Sequence, residues 1–285
     1  MLRILDARTG ESVAAAPARR GLTRIEAHAS RLDPTALRVL LTADLLVRAL
    51  ELGGTPVWTT LIAPGGHARF RAAASALALH PFEDGDDIAS GPGEAQLIRV
   101  REAGTGDPSG EARVTAEAQV SAEAPTAADV PATAQQGSKQ GTQQGTGAAA
   151  APVVAVAPVV WTDPGPSFTS LLADPTALRL ALLSVPRTEP ARLDGARLER
   201  GAEELAHWRR AVAEWARTPS RPVPEELRTR LRTAWDDDLD LPAVLAVLRD
   251  VAAAPDLPDG ARFETYAYAD RLLALDLSRD IGSLA

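Results

Sequence analysis

The sequence has 285 residues, a net charge of −8 and 45% hydrophobic residues, enough for one large domain or two modest ones. It contains no cysteine, which excludes disulfides, thiolate nucleophiles and cysteine-held zinc. Its one lysine, Lys139, lies in a polar stretch, which excludes lysine chemistry at a folded site, and the acidic balance argues against a dominant phosphate-binding surface.

Met1 to Gly10 carries charges rather than a leader-like apolar run, and no segment approaches a membrane span. A soluble, cytoplasmic chain with no membrane partner is therefore expected. Leu2 to Asp6 reads as a short strand and Thr23 to His28 as a second. Asp33 then opens a helix: Asp is a good N-cap and Pro34 suits the first helical position. That helix runs to about Leu52 and stops at Gly53-Gly54. Leu37, Leu40, Leu41, Leu45 and Leu52 give it an apolar face, with Asp44, Arg48 and Glu51 expected on the wet side. Pro56 to Ile62 reads as a buried parallel strand, His67 to Leu79 as a helix and Gln96 to Arg101 as another strand. Strands alternating with helices imply a parallel α/β unit over 1–103.

Residues 104–151 contain no Leu, Ile or aromatic residue, and Gln135 to Gly147 is rich in Gln, Gly and Thr. Such a segment cannot bury enough apolar surface to offset its ordering entropy, so it reads as a disordered linker. Over 152–173 a returning strand, Val153 to Trp161, and a connection are expected. Over 174–285 the pattern is helical: Asp174 to Leu183, Asp194 to about Ala216, Glu225 to Trp235, Leu241 to Val251 and Arg262 to Leu275. The expected fold class is α/β plus α: a reduced Rossmann-like parallel sheet unit followed by an α-helical stem, a bundle. The hexapeptide Asp-Pro-Thr-Ala-Leu-Arg occurs at 33–38 and again at 174–179, and reads as two helix starts sharing one good cap.

Two stretches resemble a known family. "DARTGE" at 6–11 and "LLVRALELGGTPV" at 45–57 resemble the opening of class I cysteinyl-tRNA synthetases and of the ligase that joins cysteine to glucosaminyl-inositol in mycothiol synthesis. "DPTALRLALLSV" at 174–185, "LDGARLERGAEELAHWRRAV" at 193–212, "AWDDDLDLPAVLAVL" at 234–248 and "YADRLLALDL" at 268–277 resemble their C-terminal helices. The resemblance implies an ATP site at the start of the first long helix. There the family carries a His-Ile-Gly-His motif; here the residues are Asp33, Pro34, Thr35 and Ala36. Asp33, Thr35 and Arg38 are thus vestigial nucleotide-site positions. The family's Lys-Met-Ser-Lys-Ser motif falls where this chain reads Trp161 to Phe168, with no basic residue and with Asp163. The family's zinc site needs a cysteine ligand that is absent here.

Other candidates take plainer readings. His28 is a polar strand end, Gly65-Gly66-His67 a turn into a helix, and the four histidines share no metal spacing. Asp236, Asp237, Asp238 and Asp240 form a turn between helices rather than a calcium loop. Trp208, Trp215 and Trp235 lie at core spacing. Arg187, Arg192, Arg197 and Arg200 read as solvated helix faces, with contact to a phosphate backbone the functional alternative. The expectation is a non-catalytic protein of this family, with no catalytic residue, no metal and no cofactor, acting through an unidentified protein partner. The rival readings are a divergent ligase, which would need ATP, and a tRNA-binding module.

Overall fold

The computed structural model describes residues 1–17, 21–85, 96–104, 151–163 and 171–283. Residues 1–103 and 151–285 form one compact unit, so the α/β and helical parts share a core. Apart from its two ends, the segment expected to be a disordered linker lies outside the described residues.

The chain begins with a hairpin, β1 (Arg3–Asp6) paired antiparallel with β2 (Glu11–Ala14). The parallel sheet contains β3 (Thr23–His28), β4 (Val57–Ile62), β5 (Glu83–Asp84), β6 (Gln96–Glu102) and β7 (Val153–Val156), in the order β5-β4-β3-β6-β7. Counted within the sheet, that order is 3-2-1-4-5, the doubly wound dinucleotide-fold order, with its switch point between β3 and β6. The expected parallel unit is thus found, with β7 joining it from beyond residue 150.

The returning strand is not one strand. Ala157-Pro158 interrupts it: β7 extends the main sheet, whereas β8 (Val159–Trp161) pairs in parallel with β9 (Ala191–Leu193) in a separate two-stranded sheet. Proline has no N–H to give a ladder, which is why the run breaks there. The two-residue β5, the short β9 and β2 gave no periodic signal at sequence level.

Helix α1 (Pro34–Leu52) begins as read: the Asp33 carboxylate accepts from Ala36 N at 2.8 Å. Its wet side does not exist in the form expected. Nearly every residue from Thr35 to Leu50 is buried, Asp44 completely. The sheet lies on one side of α1 and α7 (Asp259–Leu273) packs on it from another direction. α2 (His67–Ala76) lies beside α1. The remaining helices are α3 (Pro175–Leu183), α4 (Gly195–Trp215), α5 (Glu225–Asp236) and α6 (Leu241–Ala253).

These helices follow their sequence signals closely. Asp174, Asp194 and Asp240 each accept a hydrogen bond from the backbone N–H three residues on. The tryptophans are core: Trp208 and Trp215 meet Tyr266 edge-on, and Trp235 packs on Tyr268. Among the described residues, no helix is long and apolar enough to cross a membrane.

Candidate functional site

The start of α1 is the locus the resemblance selects, and a helix N-terminus is in general a good place for a phosphate. Here the protein's own groups occupy it. Asp33 caps the helix and pairs with Arg31. The Thr35 hydroxyl accepts a 3.0 Å hydrogen bond from Val159 N, tying the first residue of β8 to the first turn of α1.

Arg38 is 2% exposed. Its Nη1 donates to the carbonyls of Ala157 (3.0 Å) and Glu189 (2.6 Å), and its Nη2 to those of Val185 (3.0 Å) and Pro186 (2.7 Å). Four carbonyl oxygens therefore hold both terminal nitrogens. Burial, with the nearby Arg187 charge, lowers its pKa to about 10, so the cation persists at neutral pH. Its guanidinium pins the β7–β8 and α3–β9 connections to α1 rather than facing an open cleft.

A second network lies nearly two helical turns further along α1. Asp44 accepts from Arg179 Nη2 (2.8 Å), Arg48 Nε (2.8 Å), His80 N (2.9 Å) and His80 Nδ1 (2.6 Å). Burial alone would push its carboxyl up. The hydrogen bond from His80 and the charges of Arg179 and Arg48 outweigh it and hold the group well below the usual carboxylate range. Arg179 also donates to the carbonyls of Leu273 and Leu77. Asp44 immediately precedes "LLVRALELGGTPV", Arg48 lies within it, and Arg179 lies within "DPTALRLALLSV". The two stretches that carry the resemblance are thus joined by a buried ion pair.

The sheet presents a third cluster on the face away from α1. Glu26 on β3 pairs with Arg24, with His28 (3.4 Å) and, across the strand boundary, with Arg99 of β6 (3.3 Å). Burial would raise the Glu26 carboxyl, but hydrogen bonds from His28 and Arg24 bring it down to about 2. Register places His28 opposite Arg101 at the carboxyl ends of β3 and β6, the switch-point edge where ligands of such sheets bind. The Arg101 side chain has no hydrogen-bond or ion-pair partner among the described residues. Sequence reading singled out His28 but missed Glu26, Arg99 and Arg101. Only strand order brings β3 beside β6, and 67 or more residues separate them.

The remaining candidates are structural. Arg187 is buried, donating to Ala155 O and pairing with Asp238, which also accepts from Leu5 N. The Asp236–Asp240 turn therefore braces β1 and caps α6. His67 touches Ala63 O and Asp84, and His207 is exposed. Arg200 is exposed and Arg197 half-buried on α4, as solvated helix faces would have them; Arg192 is exposed but lies on β9, and Arg187 is buried. Among the described residues no group of three or more His, Asp or Glu side chains could hold a metal ion.

A doubly wound sheet backed by one buried helix and joined to a helical stem defines a Rossmann-like α/β plus α protein. Comparison with known proteins narrows the kinship. A stretch of 82 residues is 44% identical to the L-cysteine:1D-myo-inositol 2-amino-2-deoxy-alpha-D-glucopyranoside ligase of Parafrankia sp. (strain EAN1pec), covering 29% of this chain and 18% of that protein. A stretch of 80 residues is 42% identical to the ligase of the same name from Streptomyces griseus, covering 28% of this chain and 19% of that protein. The matched region thus spans about a fifth of the length of these curated relatives. No protein-family model matches the chain. The similarity is to the cysteine ligase that the quoted motifs resemble.

Proposed function

We propose that the chain is a non-catalytic relative of these cysteine ligases, acting through binding rather than through amino-acid activation. The observation that carries this reading is the state of the α1 start. Thr35 is engaged by Val159, and both terminal nitrogens of Arg38 by four backbone carbonyls. The positions at which the resemblance implies an ATP site are engaged in holding the fold together. Adenylate formation needs preorganised donors on the α-phosphate and on the leaving pyrophosphate, and loss of one such donor typically costs about 10²–10³ in rate. The partner expected is a protein rather than tRNA, because the chain is acidic overall and its most buried arginines face backbone or carboxylates.

One observation favours a rival: a rewired ATP-dependent ligase could draw on His28 and Arg101 at the switch-point edge. Cysteine-dependent pyrophosphate exchange separates the two. The expected result is no exchange above background and no heat of binding with ATP. Exchange in the wild type that is lost on His28→Ala or Arg101→Ala, with the melting temperature unchanged, would establish the ligase instead.

A further inference from the structure

A pocket of about 280 Å³ lies between α1, β4, α2 and the chain leading into β5, and its lining includes neither Arg38 nor His28. Its floor and inner walls are Leu40, Leu61, Phe70, Ala74, Leu79 and Phe82, none more than 8% exposed, and its mouth opens to the surface between Arg71, Ser75, His80 and Pro81. A concave pocket with an apolar floor and a few polar groups at its rim is the usual form of a small-molecule site. For scale, an engineered apolar cavity of about 150 Å³ takes up benzene.

The wall that could collapse into it is held back. Ala78, at φ 53, is the left-handed residue that closes α2: its N–H donates to Ser75 O and that of Leu79 to Ala74 O. The Asp44 network holds the chain just there. Arg179 donates to Leu77 O (2.9 Å), Arg48 to Ala78 O (2.9 Å), and Asp44 accepts from His80 N (2.9 Å). These contacts at residues 77, 78 and 80 fix Leu79 at the pocket wall. A preformed pocket binds without spending affinity on ordering its own wall.

The lining also states what it takes. The two basic side chains at its margin are already engaged: Arg71 with Asp84 at 3.0 Å and His80 with Asp44 at 2.6 Å. They offer no uncommitted charge to a phosphate or a carboxylate. The inner walls are aliphatic and phenyl groups, which suit an uncharged ring or branched chain.

We infer that this pocket is a binding site for a small, uncharged, mainly apolar molecule about the size of one substituted aromatic ring. The inference is independent of whether the chain activates amino acids.

The test titrates the full-length protein with indole and with isobutylbenzene, following side-chain NMR signals and the melting temperature. Saturable shifts centred on Phe70, Leu79 and Phe82 are expected, with a melting rise of about 2–4 °C at tenfold excess over Kd. Ala74→Leu, which fills the pocket from α2, should reduce the affinity at least tenfold. Three results would overturn the inference: no saturable binding of either probe, shifts centred elsewhere in the wild type, or unchanged affinity in a folded Ala74→Leu. The wild-type shift map decides the matter even where that variant does not fold.

Discussion

Asp44 and Arg179 are 135 residues apart in sequence and meet at 2.8 Å, one 0% and the other 1% exposed. Burying such a pair costs nearly as much desolvation as the attraction returns, but removing one partner leaves an uncompensated charge in the core. Arg179→Met should therefore destabilise the protein by about 3–5 kcal/mol in urea unfolding. Adding Asp44→Leu to that variant should recover a large part of the loss. Coupling of about 1 kcal/mol or more between the two sites is the expected outcome of the double-mutant cycle. Additive losses would mean that Arg48 and His80 satisfy Asp44 without Arg179.

At the scale of elements, α7 ends on a residue poorly chosen for its conformation. Ala274 lies at φ 47, ψ 50, the left-handed helix-terminating geometry that glycine adopts without a Cβ penalty. Its N–H bonds Asp270 O, and the Asp270 carboxylate accepts from Leu275 N and Leu277 N. The terminus is thus fully bonded and only the side chain is at odds with it. Ala274→Gly should stabilise by about 1 kcal/mol, since a left-handed non-glycine residue costs about 1–2 kcal/mol. The melting temperature should rise by about 2–4 °C, and a fall would show that the Ala274 methyl is needed for packing. Arg48 Nη1 sits 3.5 Å from Arg271 O in the last turn of this helix, so the element also reports on the Asp44 network.

Across the whole molecule, charge pairing joins strands that sequence separates, and pH reads it out. Glu26 links β3 to Arg99 of β6, and its carboxyl is held at about 2 against an ordinary 4.5. A depressed carboxylate contributes stability that is present above its unfolded value and lost as pH falls through its folded value. Stability from Glu26 should therefore decline between pH 4.5 and about 2. Asp44 acts in the same direction. Asp270, raised by burial, acts in the opposite one and gains from protonation. The melting temperature should fall steeply across this acid window. Glu26→Gln should melt lower at neutral pH and show a shallower acid slope, so a slope equal to the wild type's would remove Glu26 from the linkage.

The sequence by itself determined the helices and most of the strands. Caps such as Asp33, Asp174 and Asp194 act within three residues, and apolar periodicity is written over one or two turns, so local chemistry suffices. It also determined what chemistry is absent, because a chain without cysteine has no thiolate wherever it folds. The tertiary structure alone decided the fate of the charged residues. Asp44 and Arg48 have the spacing of a wet helix face, yet a second helix arriving from beyond residue 174 turns that face into core. Arg38, read as a vestigial nucleotide contact, meets carbonyls 119 to 151 residues away. The Glu26 cluster exists only because the crossover order sets β6 beside β3. Whether a charge faces solvent, ligand or a buried partner depends on elements distant in sequence, and no local pattern encodes their arrival.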